Sequence, residues 1–181
     1  QGRTTPPRAA MATAQNSLLL RLPRKDRAAL LAAGESVQLA LSDVLCDAGK
    51  ATRHVYFPVD AFISLVAPID GKPALEVGMV GREGMLGAQL ALGVATVPLH
   101  AVVQGQGAAW RIASAAFRAE LARSAALQRL LNRYLYVLMA QLWENILRKN
   151  ATWKPSAALL GEFKAFFRLD ADERRDCDYF S

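Results

Sequence analysis

No run of apolar residues in this chain approaches the ~20 that a helix needs to span a bilayer. The longest candidate, Leu18 to Leu22, is interrupted by Arg21 and stopped by Pro23. An apolar signal-peptide centre is also missing, because Gln1 to Asn16 is polar and alanine-rich. These absences lead to the expectation of a cytoplasmic protein that makes no membrane contact. Cysteine is scarce, and Cys46 and Cys177 lie too far apart for a disulfide framework or a metal cluster. An iron–sulfur centre needs about four clustered thiolates, so that chemistry is excluded. Histidine is equally scarce. His54 and His100 stand alone, and a single His without a partner ligand is more often a hydrogen-bonded strand residue than a haem ligand. The expectation is no metal and no cofactor.

Catalytic pairs are lacking too. Ser64, Ser114 and Ser124 fall in strand or cap contexts with no base nearby in the pattern. Asp60, Asp70 and Glu76 sit at turns or strand edges, where solvation is their ordinary role. Without a nucleophile beside its base or carboxylates paired across a cleft, no catalytic residue is assigned and an enzyme is not expected. The net charge of +6 suggests nucleic acid until it is located. Arg3, Arg8, Arg21, Arg24, Lys25 and Arg27 face only Asp26 in residues 1–27, so five of the six excess charges lie there. Such a basic arm can touch nucleic acid, yet it is more often a solvated leader, and residues 1–15 are expected to be disordered.

What is present suits one domain of ordinary size: 181 residues, 52% of them hydrophobic. Ser17 to Ala33 has the texture of a helical opening, broken and restarted at Pro23 and Asp26. Val37, Leu39 and Leu41 then alternate with Gln38 and Ala40, which is a strand signature. His54 to Phe57, Ala61 to Ala67, Leu75 to Val80, Ala101 to Gln104 and Ala108 to Ile112 extend this to about eight short strands. Asp47-Ala48-Gly49 marks a turn, and Asp70-Gly71 between apolar runs signals a hairpin. Nine of the twelve glycines fall between Gly49 and Gly107, a turn density that fits a roll or barrel and no βαβ unit. Met79 and Met85, with Leu86, Leu90 and Leu92, are expected to fill core.

From Ser114 the texture is helical. Ser114 and Ser124 are candidate caps of a short helix and a longer one. In the longer one Leu127, Leu131, Tyr134, Leu135, Leu138, Leu142 and Ile146 recur at steps of three and four. Leu130, Val137 and Met139 add apolar surface beyond that stripe. A helix from Ala125 to Lys149 would be about 37 Å long, and a small roll covers only one side of it. The stripe is therefore expected to mediate a homodimer.

Four stretches together resemble the Crp/Fnr family of transcription regulators. They are Leu18 to Pro23, Arg53-His54-Val55-Tyr56-Phe57-Pro58, Val77 to Gly87 and His100 to Gln104. The resemblance runs in order from about residue 16 to residue 143. It implies a mainly β fold with flanking helices: a cyclic-nucleotide-binding-like β-roll, a double-stranded β-helix or jelly roll, followed by a long dimerisation helix. The implied divisions are a leader at 1–15, the roll at 16–123, the dimerisation helix at 124–149 and a short helical tail at 150–181.

The resemblance also implies a ligand-binding cassette at Gly84, Met85, Leu86, Gly87, Leu99, His100 and Ala101. In family members that bind cyclic nucleotides, a cassette Glu receives the ribose hydroxyl and a cassette Arg pairs with the phosphate. Met85 and Leu99 stand at those two positions here, so the implied effector is an unknown small molecule other than a cyclic nucleotide. The family's winged helix-turn-helix reads DNA from the major groove. No such pattern is recognisable in 150–181, which makes DNA a partner only if that domain is supplied elsewhere. The expected function is the effector-sensing and dimerisation portion of a bacterial regulator. The alternative is a homodimeric ligand- or partner-binding module acting without DNA.

Overall fold

The computed structural model of the chain describes residues 15–69 and 72–149, and within them the side chains outside 72–73 and 140–149. Two short helices open it, α1 at Ser17–Leu20 and α2 at Arg24–Ala32. Asn16 caps α1 by accepting the Leu19 N–H at 3.0 Å, and its amide donates to the carbonyls of Pro58 and Gly84 at 2.8 Å each. One side chain thus satisfies an orphan helix donor and ties the opening to two later segments. Pro23 ends this turn and starts α2, where its fixed φ and missing N–H cost nothing.

Seven strands follow among the described residues: β1 Gly34–Leu39, β2 Val44–Cys46, β3 His54–Pro58, β4 Phe62–Ile69, β5 Lys72–Val80, β6 His100–Gly105 and β7 Gly107–Ala113. They form an antiparallel three-stranded sheet in the order β1-β7-β3 and a four-stranded one in the order β2-β6-β4-β5. Strands β4 and β5 pair through Ile69 and Lys72, so the chain reverses across Asp70-Gly71, the expected hairpin position. Those two residues themselves lie outside the described ones. The expected strand through Leu41 ends instead at Leu39. Leu41 is exposed and precedes Ser42 at φ 71, a backbone turn that cannot continue a strand.

Strand β3 shows how the two cores arise. Alternate side chains of a strand point to opposite faces. Val55 and Phe57 enter a cluster with Leu18, Leu30, Phe117, Leu127 and Leu131, beneath the helices. Tyr56 enters the other, between the sheets, with Leu39, Ile63, Leu65, Val103 and Ala109. Burial on both faces explains why this stretch is almost unbroken apolar sequence.

Two helices close the described chain, α3 at Ser114–Arg123 and α4 at Ala125–Lys149. Ser124 caps α4 as expected, accepting the Leu127 N–H at 3.0 Å while donating to Asp26 at 2.6 Å. Ser114 does not cap α3. Its hydroxyl donates to the Thr52 carbonyl at 2.6 Å and is aimed away from the helix start. Of the methionine–leucine group expected in the core, Met85, Leu86 and Leu90 are buried, but Met79 and Leu92 are exposed. No helix of the described residues is long and apolar enough to cross a membrane.

Candidate functional site

The segment from Gly81 to Gly87 leaves β5 and enters a short 3-10 helix at Ala88–Leu92. Its first turn is local: the Glu83 carboxylate accepts the Gly81 N–H at 3.1 Å, and the Gly84 N–H reaches the Gly81 carbonyl at 3.0 Å. The next three residues are pinned from two sides. Leu86 exchanges both backbone hydrogen bonds with Tyr56, at 2.9 and 3.1 Å, and becomes a one-residue extension of the β3 edge. The hydroxyl of Tyr134, reaching down from α4, accepts the Met85 N–H at 3.1 Å and donates to the Met85 carbonyl at 3.2 Å. Burial pushes the Tyr134 phenol up to about 12, with the nearby Glu83 charge acting in the same direction and the Met85 hydrogen bond opposing it.

The two cassette glycines have separate physical reasons. At Gly84 a Cβ would collide with the Tyr134 hydroxyl, so a side chain there would break the α4 contact. At Gly87 φ is +93°, and a Cβ would lie 2.8 Å from the Val55 Cγ1. Only glycine accepts that backbone at little cost.

The second half of the expected cassette lies at the start of β6. The pairs Gly49 N–H to Val97 O at 2.8 Å and Thr52 N–H to Ala95 O at 2.9 Å draw the preceding loop across the roll. This brings Leu99 and Ala101 to the same cavity as Met85, Leu86 and Gly87. The cavity is about 190 Å³, and Leu65, Val80 and Val97 contribute to its walls. Leu135, Leu138 and Met139 of α4 line one side of it. His100 does not line it. Strand alternation turns Ala101 inward and His100 outward, where its Nδ1 accepts the Ala48 N–H at 3.4 Å and lies 3.5 Å from the Asp47 carboxylate.

None of the lining side chains carries a formal charge, and the polar ones already have partners. The Gln89 amide donates to the Thr52 hydroxyl at 2.8 Å, and the Cys46 thiol points to the Asp47 carbonyl at 3.6 Å. The Met85 and Leu86 N–H groups are committed to Tyr134 and Tyr56. A phosphate here would meet no cationic side chain.

The stripe expected to mediate dimerisation faces the chain's own roll. Leu127 and Leu131 are 2% and 0% exposed, Tyr134 is latched to Met85, and Leu135 and Leu138 line the cavity. The side chains of Leu142 and Ile146 lie outside the described ones. The open side of α4 carries Ala126, Leu130 and Val137 at steps of four and seven, with Arg129 and Arg133 among them. With Arg21, Met79 and Glu83 these line a second, larger concavity of about 470 Å³.

Ser64 donates to Glu76 at 2.7 Å, a tie between neighbouring strands. Among the described residues no group of three His, Cys, Asp or Glu side chains is placed to hold a metal. Asn16, and Tyr134 in its contact with the cassette rather than in the dimerisation stripe, were not assigned from sequence, and neither was Val97. The first two act through hydrogen bonds to distant backbone, which leave no local pattern.

No protein-family model and no curated protein sequence matches the chain. Solved structures do. A cyclic nucleotide-binding domain from Methylobacillus flagellatus KT is similar with a TM-score of 0.63 and 13% identity, over 78% of this chain and 84% of that one. The N-terminal domain of a transcriptional regulator from Streptomyces coelicolor A3(2) gives 0.54 and 15%, over 78% and 95%. The sensor domain of the transcriptional regulator DNR from Pseudomonas aeruginosa gives 0.51 and 11%, over 78% and 90%. Together with the two antiparallel sheets, the bridged cassette and the long closing helix, these similarities show that the chain has the cyclic-nucleotide-binding β-roll fold.

Proposed function

We propose that this chain is the effector-sensing portion of a Crp/Fnr-type transcription regulator, and that its effector is not a cyclic nucleotide. The observation that carries the reading is a cavity lined by both halves of the cassette and by α4. A molecule bound there touches the roll and the helix together, which is what a sensor needs to convert occupancy into a change elsewhere. The similarity to a regulator's sensor domain and a regulator's N-terminal domain supports the same reading. Cyclic nucleotides are disfavoured by chemistry, because the position that would pair with phosphate is Leu99 and the one that would hold ribose is Met85.

Dimerisation belongs to this proposal, moved to the open face of α4. Leu130 and Val137 lie there, and Val137 is 48% exposed. A protein of this kind should sediment as a homodimer at tens of micromolar, and Val137→Glu should make it monomeric. The regulator reading itself is tested in cells. Immunoprecipitation of the native protein after cross-linking should enrich discrete promoter fragments. Uniform recovery of DNA across the genome would refute the regulator reading and favour a homodimeric module that binds a ligand or partner and acts without DNA.

A further inference from the structure

We infer that the cavity between Met85 and Leu99 takes a compact, uncharged, apolar molecule, in the size range from benzene to a fused bicyclic aromatic. The inference rests on the effector-binding reading and names the class of effector. Its basis is the inventory of the walls. Leu65, Val80, Met85, Leu86, Leu99 and Leu138 supply aliphatic and thioether surface. The amide of Gln89 and the thiol of Cys46 are turned to Thr52 and Asp47. None of the lining side chains is charged, so a carboxylate or phosphate would find no cationic side chain to pair with. A cavity of about 150 Å³ with such walls stays dry and binds benzene. The one here is about 190 Å³ and opens to solvent beside Met139, which is half-exposed.

The ligand would be read by α4. Leu135, Leu138 and Met139 form part of the wall, and Tyr134, on the same two turns, is latched to the Met85 backbone. Filling the cavity adds contacts on the side-chain side of Met85 while Tyr134 holds its backbone, so occupancy tightens the cassette and helix as a unit. The open face of α4, with Leu130 and Val137, is carried by that same stretch.

The test uses the full chain with toluene and indole at about 1 mM, roughly the weak end of useful small-ligand affinity. Cyclic AMP and decanoate at the same concentration serve as charged comparisons. Toluene or indole should raise the melting temperature by about 3–6 °C, the shift expected when ligand exceeds its dissociation constant about tenfold. The backbone amides of residues 131–139 should exchange more slowly with either bound. Leu99→Trp fills the cavity from the roll and Leu138→Phe fills it from α4. Whichever variant retains native circular dichroism should lose the shift. Absence of a shift with both apolar probes overturns the inference, and so does a shift retained in the filled variants, which would place binding elsewhere. A cyclic AMP shift abolished by Leu99→Trp would also overturn it, by showing that the cavity admits an anion. None of these outcomes alters promoter occupancy in cells, so the failure of this inference and the failure of the regulator reading are separately visible.

Discussion

Leu131→Ala separates a helix that builds its own roll from one that merely faces a partner. Leu131 is fully buried in the cluster formed by Leu30, Phe117, Leu127 and the β3 residues Val55 and Phe57. The substitution deletes buried methyl groups and leaves a void whose walls belong to α2, α3 and β3, elements already held by Ser124, Asp26 and Thr52 hydrogen bonds. Walls held in this way collapse poorly, so a cost of about 3 kcal/mol is expected within the ~2–5 kcal/mol range of such changes. For a chain of this length that corresponds to a fall of roughly 6–12 °C in melting temperature. The assay is urea unfolding followed by circular dichroism at two protein concentrations a hundredfold apart, paired with sedimentation equilibrium. The destabilisation should be the same at both concentrations, with the association constant little changed. If the loss were below about 1 kcal/mol while dimers fell apart, Leu131 would be a seam residue and its assignment to the roll would be wrong.

Three further outcomes follow from the cassette and its surroundings. Tyr134→Phe leaves the Met85 N–H and carbonyl without their partner and should cost about 1–3 kcal/mol; unfolding curves no different from wild type would mean the latch is idle. The Tyr134 phenol is pushed above its unfolded value of about 10, up to about 12, so its neutral form stabilises the fold fully below pH 10 and that stability is lost as pH rises from 10 to 12. Urea titrations across that window should therefore show a steeper decline in wild type than in Tyr134→Phe, and parallel declines would contradict the assignment. Gly87→Ala forces a left-handed backbone and a close contact with Val55, and should cost roughly 2–4 kcal/mol; a neutral result would show that the loop can re-form with a different φ. Finally, the chain alone should bind DNA only weakly, without sequence preference and with a steep salt slope, through residues 1–27. Nanomolar binding to one promoter after deletion of residues 1–15 and neutralisation of Arg21 and Arg24 would place a DNA reader in the C-terminal segment.

Strand positions were legible because period-two alternation and glycine turns are local. Val37 to Leu39 and the Asp70-Gly71 reversal illustrate this, while His54 to Phe57 was legible as a short apolar run rich in β-formers. The long helix was legible for the same reason, since its apolar residues recur at steps of three and four. Which of its faces meets the roll was not. Leu127, Leu131, Tyr134, Leu135 and Leu138 form one continuous stripe whether they cover a sheet or a second helix, and periodicity carries no information about the occupant. Ser114 shows a related limit. A serine before a helical run satisfies the cap pattern, yet a carbonyl 62 residues distant in sequence, that of Thr52, takes its hydroxyl. His100 was placed at the cassette by its neighbours Leu99 and Ala101, but a one-residue step along a strand reverses the face.

Under the proposed reading, a resemblance to a phosphate-binding family persists in the frame of the cassette while its lining suits an apolar effector. Its conserved-looking frame has structural work independent of any ligand: Gly84 admits the Tyr134 hydroxyl, Leu86 extends the β3 edge through Tyr56, and Gly87 turns the chain against Val55. Replacing any of these disturbs packing directly. At the two positions that would grip a nucleotide, an apolar residue completes a wall and packs against the core. Met85 is 1% exposed and joins the core beneath the helices, while Leu99 packs against the core between the sheets. A charged Glu or Arg at those points would need a ligand or water to satisfy it, whereas Met and Leu are satisfied by one another's surroundings. The roll can therefore keep its fold and its contact with α4 while exchanging an anionic effector for an apolar one. In such a chain, the effector is identified by what lines the cavity, and the frame identifies only where to look.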